Sequence, residues 1–170
     1  MNKKLFVAAF SVILLAVSAH AQTTTTACPS TKTLDDLVKA LDAAVSGPGD
    51  KDRTCMRQVF VADARLVPIS KAKDGTVAAR ILNIDDWITR VKARGSDAFY
   101  EHQIKYSTDV YGHMAHLWST YEIRETPEGK VEVRGINSIQ AAFNGTEWKV
   151  VEILWQAETA DAPIPQKYLP

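Results

Sequence analysis

The chain has 170 residues, 20 basic against 20 acidic side chains, and 46% hydrophobic residues. That is enough for one compact domain and a leader and too little for two ordinary domains. The even charge balance lacks the basic excess that a nucleic-acid or anionic-membrane surface requires, so no nucleic-acid partner is expected.

The first residues read as an export signal. "MNKK" is a short basic start, "LFVAAFSVILLAV" is an apolar run too short to span a bilayer, and "SAHA" sets Ala19 and Ala21 at the -3 and -1 positions of a cleavage site. Residues 1–21 are therefore taken as a signal peptide cut after Ala21, leaving about 150 residues in a periplasmic or secreted protein with no membrane contact after cleavage. Residues 22–32 form a Thr-rich tail. Cys28 and Cys55 are the two cysteines, and in an oxidising compartment they are expected to pair. Closing that loop would stabilise the fold by at most about 3.5 kcal/mol.

The first helix is expected at "TKTLDDLVKALDAAV", where Leu34, Leu37, Val38, Leu41 and Val45 recur at helical spacing and Thr33 is the N-cap. "SGPG" ends it. A short second helix is expected over about 52–60, followed by a hairpin whose strands "ARLVPIS" and "TVAARIL" flank "KAKDG". The third helix runs through "NIDDWITRVKARG", capped by Asn83 and stopped by Gly95. Four long strands are then expected at about 99–110, 113–125, 131–143 and 147–157. Asn144-Gly145 reads as a hairpin turn rather than a glycosylation signal. Residues 158–170, with three prolines, should run extended over the surface.

Helix, helix, hairpin, helix and four-stranded meander is the order of elements in the nuclear transport factor 2-like superfamily, including its SnoaL-like members. "VFVADARLV" resembles that family's segment between second helix and first strand, "AHLWSTYE" its central strand, and "RGINSIQAAFNGTEWKVVEILW" its closing hairpin. The resemblance spans 33–157. It implies an α+β fold in which a cone-shaped, curved antiparallel sheet wraps around three helices (a cystatin-like, nuclear transport factor 2-like α+β barrel), with a cavity opening at the wide end. Members with this cone include isomerases, dehydratases, cyclases, ligand binders and dimerisation modules, so the fold alone selects no function.

Side chains alternate along strands, and the more apolar parity marks the concave face. That parity turns Tyr100, His102, Ile104 and Tyr106 inward in the first long strand, Ser119 and Tyr121 in the second and Asn137 in the third. Trp155 and Trp148 remain undecided. The expected ligand-binding residues are Tyr106, Ser119, Tyr121, Asn137 and Trp155, with His102 as the candidate general acid or base. The opposite parity collects His116, Trp118, Arg134 and Gln140 on the outer face, which reads as a dimer face.

No glycine-rich phosphate loop, nucleophile elbow or metal-ligand spacing occurs, so neither metal nor other cofactor is expected. Helix 33–46 has no tyrosine and no aspartate falls inward by this parity, which counts against the isomerase chemistry the resemblance would imply. The reading is an exported homodimer binding a small apolar or aromatic ligand inside the cone. A dehydratase, isomerase or cyclase using His102 is one alternative, and a pure dimerisation or interaction module is another.

Overall fold

The computed structural model describes residues 27–170, and the expected signal peptide lies outside them. Helix α1 (Leu34–Val45) begins where the Thr33 hydroxyl accepts the Asp36 amide at 3.0 Å, and it buries Leu37, Val38, Leu41 and Val45 along one face. The chain then makes a two-residue strand β1 (Gly47–Pro48), a four-residue helix α2 (Met56–Val59), strand β2 (Phe60–Lys71) and strand β3 (Val77–Ala79). Helix α3 (Ile84–Lys92) carries a reciprocal cap between Asn83 and Asp86, and Gly95 turns the chain out of it at φ +61°. The long strands are β4 (Ala98–Tyr111), β5 (Met114–Arg124), β6 (Val131–Phe143) and β7 (Trp148–Ala157).

The seven strands form one curved sheet in the order β1-β4-β5-β6-β7-β2-β3, with the helices in its concavity. Its first and last strands do not meet, so the sheet is an open cone. The expected α+β architecture holds, and one pairing differs in direction. β2 runs parallel to β7, with Arg65 opposite Glu152, while its hairpin with β3 is antiparallel. β1 was not legible as a strand because two residues carry no alternation. α2 is shorter than expected because the Asp52 carboxylate accepts both the amide and the hydroxyl of Thr54, which holds the preceding residues in a turn.

Two irregularities set which side chains look inward. β4 and β5 pair as Gln103 with Tyr121 and then Lys105 with Thr120, leaving Ile104 as a bulge. β6 and β7 pair as Gln140 with Glu152 and then Ala141 with Val150, a second bulge. The second bulge resolves β7: Val150, Ile153 and Trp155 pack on the core, and Glu152 and Leu154 fall on the outer face.

Cys28 and Cys55 are disulfide-bonded. The bridge ties the N-terminal segment to the start of α2, where Thr31 also holds it by accepting the Trp148 amide at 2.8 Å. Because that backbone contact survives reduction, Cys28→Ala is expected to cost about 2 kcal/mol, short of the loop-closure ceiling. Urea midpoints measured with and without reductant check this: wild type should lose about as much on reduction as the variant loses outright, and the variant should lose nothing further.

No helix among the described residues is long and apolar enough to cross a membrane.

Candidate functional site

Before the bulge, β4 turns its odd-numbered residues inward: Phe99, Glu101 and Gln103. After it, the even residues take over, and Tyr106 lies opposite the buried Ser119. The expected inward position of His102 is therefore corrected. His102 sits on the outer parity opposite Glu122, its side chain 68% exposed, and Nδ1 reaches the Asp42 carboxylate of α1 at 3.3 Å. A uniform alternation placed Tyr106 correctly and His102 wrongly, because one extra residue separates them.

The residue that takes the inward place is Glu101. Ser46, at the end of α1, accepts its amide at 2.9 Å and donates to its carbonyl at 3.2 Å, fixing the backbone at that point. The carboxylate Oε1 accepts from Gln103 Nε2 at 2.9 Å and from Asn137 Nδ2 at 3.1 Å. Asn137 Nδ2 also reaches Gln103 Oε1 at 3.2 Å, and Ser119 donates to that same oxygen at 2.5 Å. The cluster thus draws one residue from β5, one from β6 and two from β4. Both donors go to Oε1, leaving Oε2 free of them.

Burial raises the Glu101 carboxyl from 4.5 to about 7, reinforced by the Asp42 charge and only partly offset by the amide donors. Burial likewise raises Asp42, against the Gln103 and His102 contacts that lower it, and its Oδ1 is sealed without a partner. Tyr121, buried near Glu101, is also raised. Folding therefore favours protonated Glu101. That contribution is fully present below pH 4.5 and is lost as pH rises through about 7. Glu101→Gln keeps an acceptor for both amides and carries no charge. It is expected to leave stability unchanged near pH 4.5 and to raise it by about 2 kcal/mol at pH 8, discounted from the full shift for the groove's solvent. Thermal unfolding of both proteins at the two pH values checks this, and an equal gain at both would remove Glu101 as the cause.

Glu101 stands where two cavities meet. Inside the cone is a space of about 40 Å³ bounded by Leu41, Phe60, Ile153 and Asn137. At the wide end, a groove of about 520 Å³ runs between α3 and the strand ends, walled by Val91, Phe99, Ile123 and Val133. Trp87, Glu101 and Trp155 line both. Arg90 and Arg94 edge the groove, with Arg94 lying 5.2 Å over the Phe99 ring. The arrangement offers a fixed carboxyl group in a slot walled by Trp87, Phe99 and Trp155 and edged by the charged Arg90, Arg94, Arg124, Glu125 and Glu132. It can accept or donate a hydrogen bond near neutral pH, and it can exchange a proton with a bound molecule.

The other sequence-marked residues divide by position. Asn137 and Trp155 reach the cavity. Ser119 and Tyr121 are buried behind its wall, and Tyr106 lies away from it, donating to Asp35 at 2.6 Å, a bond that pushes its own pKa up to about 12. On the outer face, His116 approaches Ser138 Oγ at 3.2 Å and Gln140 is exposed. Trp118 is covered by Tyr168, with ring centroids 5.8 Å apart, and Arg134 pairs with Glu158 at 2.9 Å. Two of the four expected dimer-face residues are thus engaged by the C-terminal tail. Glu152 pairs with Arg65 across the parallel strands. No cluster of metal-ligating side chains occurs among the described residues.

Solved structures resemble this arrangement. A nuclear transport factor 2-like protein of unknown function from Silicibacter pomeroyi superposes with a TM-score of 0.53 at 18% identity, over 74% of this chain and 92% of that one. The fold is nuclear transport factor 2-like. The same superposition extends to the beta subunit of a putative aromatic-ring-hydroxylating dioxygenase from Novosphingobium aromaticivorans, at TM-score 0.54 and 16% identity over 77% and 94% of the two chains. A putative calcium/calmodulin-dependent kinase II association domain from Exiguobacterium sibiricum gives 0.53 at 12% identity over 74% and 91%. No family model and no curated protein matches the sequence. At these identities the nuclear transport factor 2-like likeness carries the fold and leaves the activity to the site.

Proposed function

We propose that this chain is an exported small-molecule-binding protein whose groove at the mouth of the cone takes a flat, largely aromatic ligand, with Glu101, held in place by Asn137, meeting the ligand's polar group. The observation that carries the reading is the Glu101 carboxyl, anchored through Oε1 by Asn137 and Gln103 at the junction of groove and inner cavity between Trp87 and Trp155. A buried carboxyl with organised donors behind it and open space before it is built to meet something. The Cys28–Cys55 bridge supports export to an oxidising compartment. Pairing of two chains is assigned to the part of the outer face that the tail leaves open, around His116 and Gln140, which lie opposite one another in register.

One observation favours the catalytic reading as second choice. Raised to about 7, Glu101 is poised to move a proton at neutral pH, a role for which the solvent-facing His102 is poorly placed. Dehydration, isomerisation or cyclisation would then run on Glu101.

Native mass spectrometry of the protein recovered from the oxidising compartment, followed by the same sample denatured, tests the binding reading. The expected result is extra mass that disappears on denaturation and is lost in Asn137→Leu, whose affinity for the recovered compound should fall at least about tenfold. A clean wild-type mass, together with no binding of aromatic compounds to the groove, would leave only an assembly role.

A further inference from the structure

The C-terminal residues after β7 do more than cross the surface. They form a strap fastened at both ends to the outer side of the sheet. At the near end, Glu158 accepts from Arg134 and from the Ile164 amide at 3.0 Å, and Lys71 pairs with Asp161 at 2.8 Å. At the far end, Thr120 donates to the Tyr168 carbonyl at 2.6 Å, Lys105 Nζ reaches the Leu169 carbonyl at 2.5 Å, and the Tyr168 ring covers Trp118. Between these fastenings, a turn closed by mutual backbone bonds of Thr159 and Ala162 leads into Pro163-Ile164-Pro165, in which Ile164 is buried.

What remains beneath is a cleft of about 350 Å³, on the opposite side of the sheet from the cone. Its walls are Ile69, Trp118, Ile136 and Leu154 from four different strands, and Ile164 with its flanking prolines from the strap. The volume equals that of roughly a dozen waters, and apolar walls of this kind hold water poorly. It falls within the range of small-molecule sites. Glu158 is the one charged residue among the lining groups, and its carboxylate is already engaged by Arg134 and the Ile164 amide. Ser138 is engaged by His116 at 3.2 Å, so the polar side-chain groups left at the walls are Gln156 and the Trp118 Nε1–H, which is buried without a partner.

We propose that this cleft is a second binding site, distinct from the cone, for a neutral and largely apolar small molecule held between sheet and strap. A second copy of the chain is disfavoured as occupant, because Ala162 to Pro165 of the strap stand along one side of the cleft and keep a flat surface off its walls. A charged ligand is disfavoured because the cleft has no free charge to meet it. The cone reading and this one stand independently, since the two sites share only Trp155, whose side chain packs on the concave face.

The test uses N-phenyl-1-naphthylamine, a neutral apolar fluorophore, titrated into the purified disulfide-bonded protein with amide spectra recorded alongside. The expected result is saturable binding that shifts the amides of Ala162 and Ile164. Leu154→Trp, which fills the cleft from the sheet, should weaken that binding at least tenfold. Val133→Trp, which fills the groove at the mouth of the cone, should leave the strap shifts in place. Shifts confined to Trp87, Glu101 and Trp155 would put the probe in the cone and overturn the proposal, as would unchanged strap shifts in a folded Leu154→Trp. If Leu154→Trp does not fold, the wild-type amide shifts decide alone. A dimer whose interface amides are those of the strap, and which takes up no probe, would also overturn it and assign the cleft to a second chain.

Discussion

Gly135→Ala is expected to lower the unfolding free energy by about 3 kcal/mol and the thermal midpoint by roughly 10 °C, a large effect for one methyl group. Gly135 lies opposite Tyr121 in the β5–β6 ladder, and the Tyr121 ring lies across it. A Cβ built at that position meets the Tyr121 ring and hydroxyl and also the Gln156 carbonyl of β7, all inside contact distance. The ring cannot retreat, because Tyr121 is only 3% exposed, and the carbonyl belongs to the sheet itself. The argument therefore concerns space and not backbone freedom. Tyr121→Leu on top of Gly135→Ala should recover part of the loss, since it removes the ring but leaves the carbonyl. Chemical denaturation of the two single variants and the double variant measures that coupling. Additive losses would mean that the ring is not what occupies the glycine's space.

The same glycine illustrates what the sequence could and could not disclose. The alternation of Ala115, Leu117, Ser119, Tyr121 and Ile123 in β5 and of Gly135, Asn137, Ile139 and Ala141 in β6 identified the inward face correctly, because both strands pair there without interruption and one side is plainly apolar. β4 defeats the same reasoning. Its first half turns Glu101 and Gln103 inward, two polar residues that satisfy each other and Asn137, and its bulge then reverses the parity. An apolarity rule applied uniformly selects Tyr100 and His102 instead. Ile104 and Tyr106, apolar at even positions, point to the even parity, and nothing in the sequence marks the bulge at Ile104 that separates them from Glu101 and Gln103. The disulfide was legible from the expectation of export together with the cysteine count. The expected extended tail is interrupted by the turn at Thr159 and Ala162 and by a 3-10 turn over Gln166–Tyr168, and no periodic pattern links a proline-rich tail to the strand that holds Trp118, where Tyr168 returns.

Arg53 carries no signal in the sequence, being one charged residue in a turn before a short helix, and its replacement is expected to cost the most. The residue is 4% exposed. One guanidinium nitrogen donates to the carbonyls of Pro48 and Gly49 at 2.9 and 3.0 Å, and the other to Val45 at 3.2 Å. The Val45 and Gly49 carbonyls, at the end of α1 and just after β1, lack helical or ladder partners, so the side chain acts as their cap, whereas the Pro48 carbonyl also accepts the Lys51 amide at 3.1 Å. The guanidinium also lies 5.7 Å from the Trp87 ring and 6.0 Å from the Phe99 ring, directly behind the aromatic wall of the groove. Arg53→Met fills similar space but leaves several buried carbonyls without donors, and it should destabilise the protein by about 4 kcal/mol. Arg53→Lys should recover less than half of that, because an ammonium cannot fork across carbonyls spread over Val45 to Gly49. Urea denaturation followed by far-ultraviolet dichroism gives the magnitude, and the Trp87 emission of the folded variant reports the wall. The effect should reach the site as well as the stability: with its backing removed, the Trp87–Phe99 edge contact loosens, and affinity for an aromatic ligand in the groove should fall in Arg53→Lys at concentrations where that variant remains folded. Full affinity in folded Arg53→Lys would confine Arg53 to capping the α1–β1 turn and detach it from the groove.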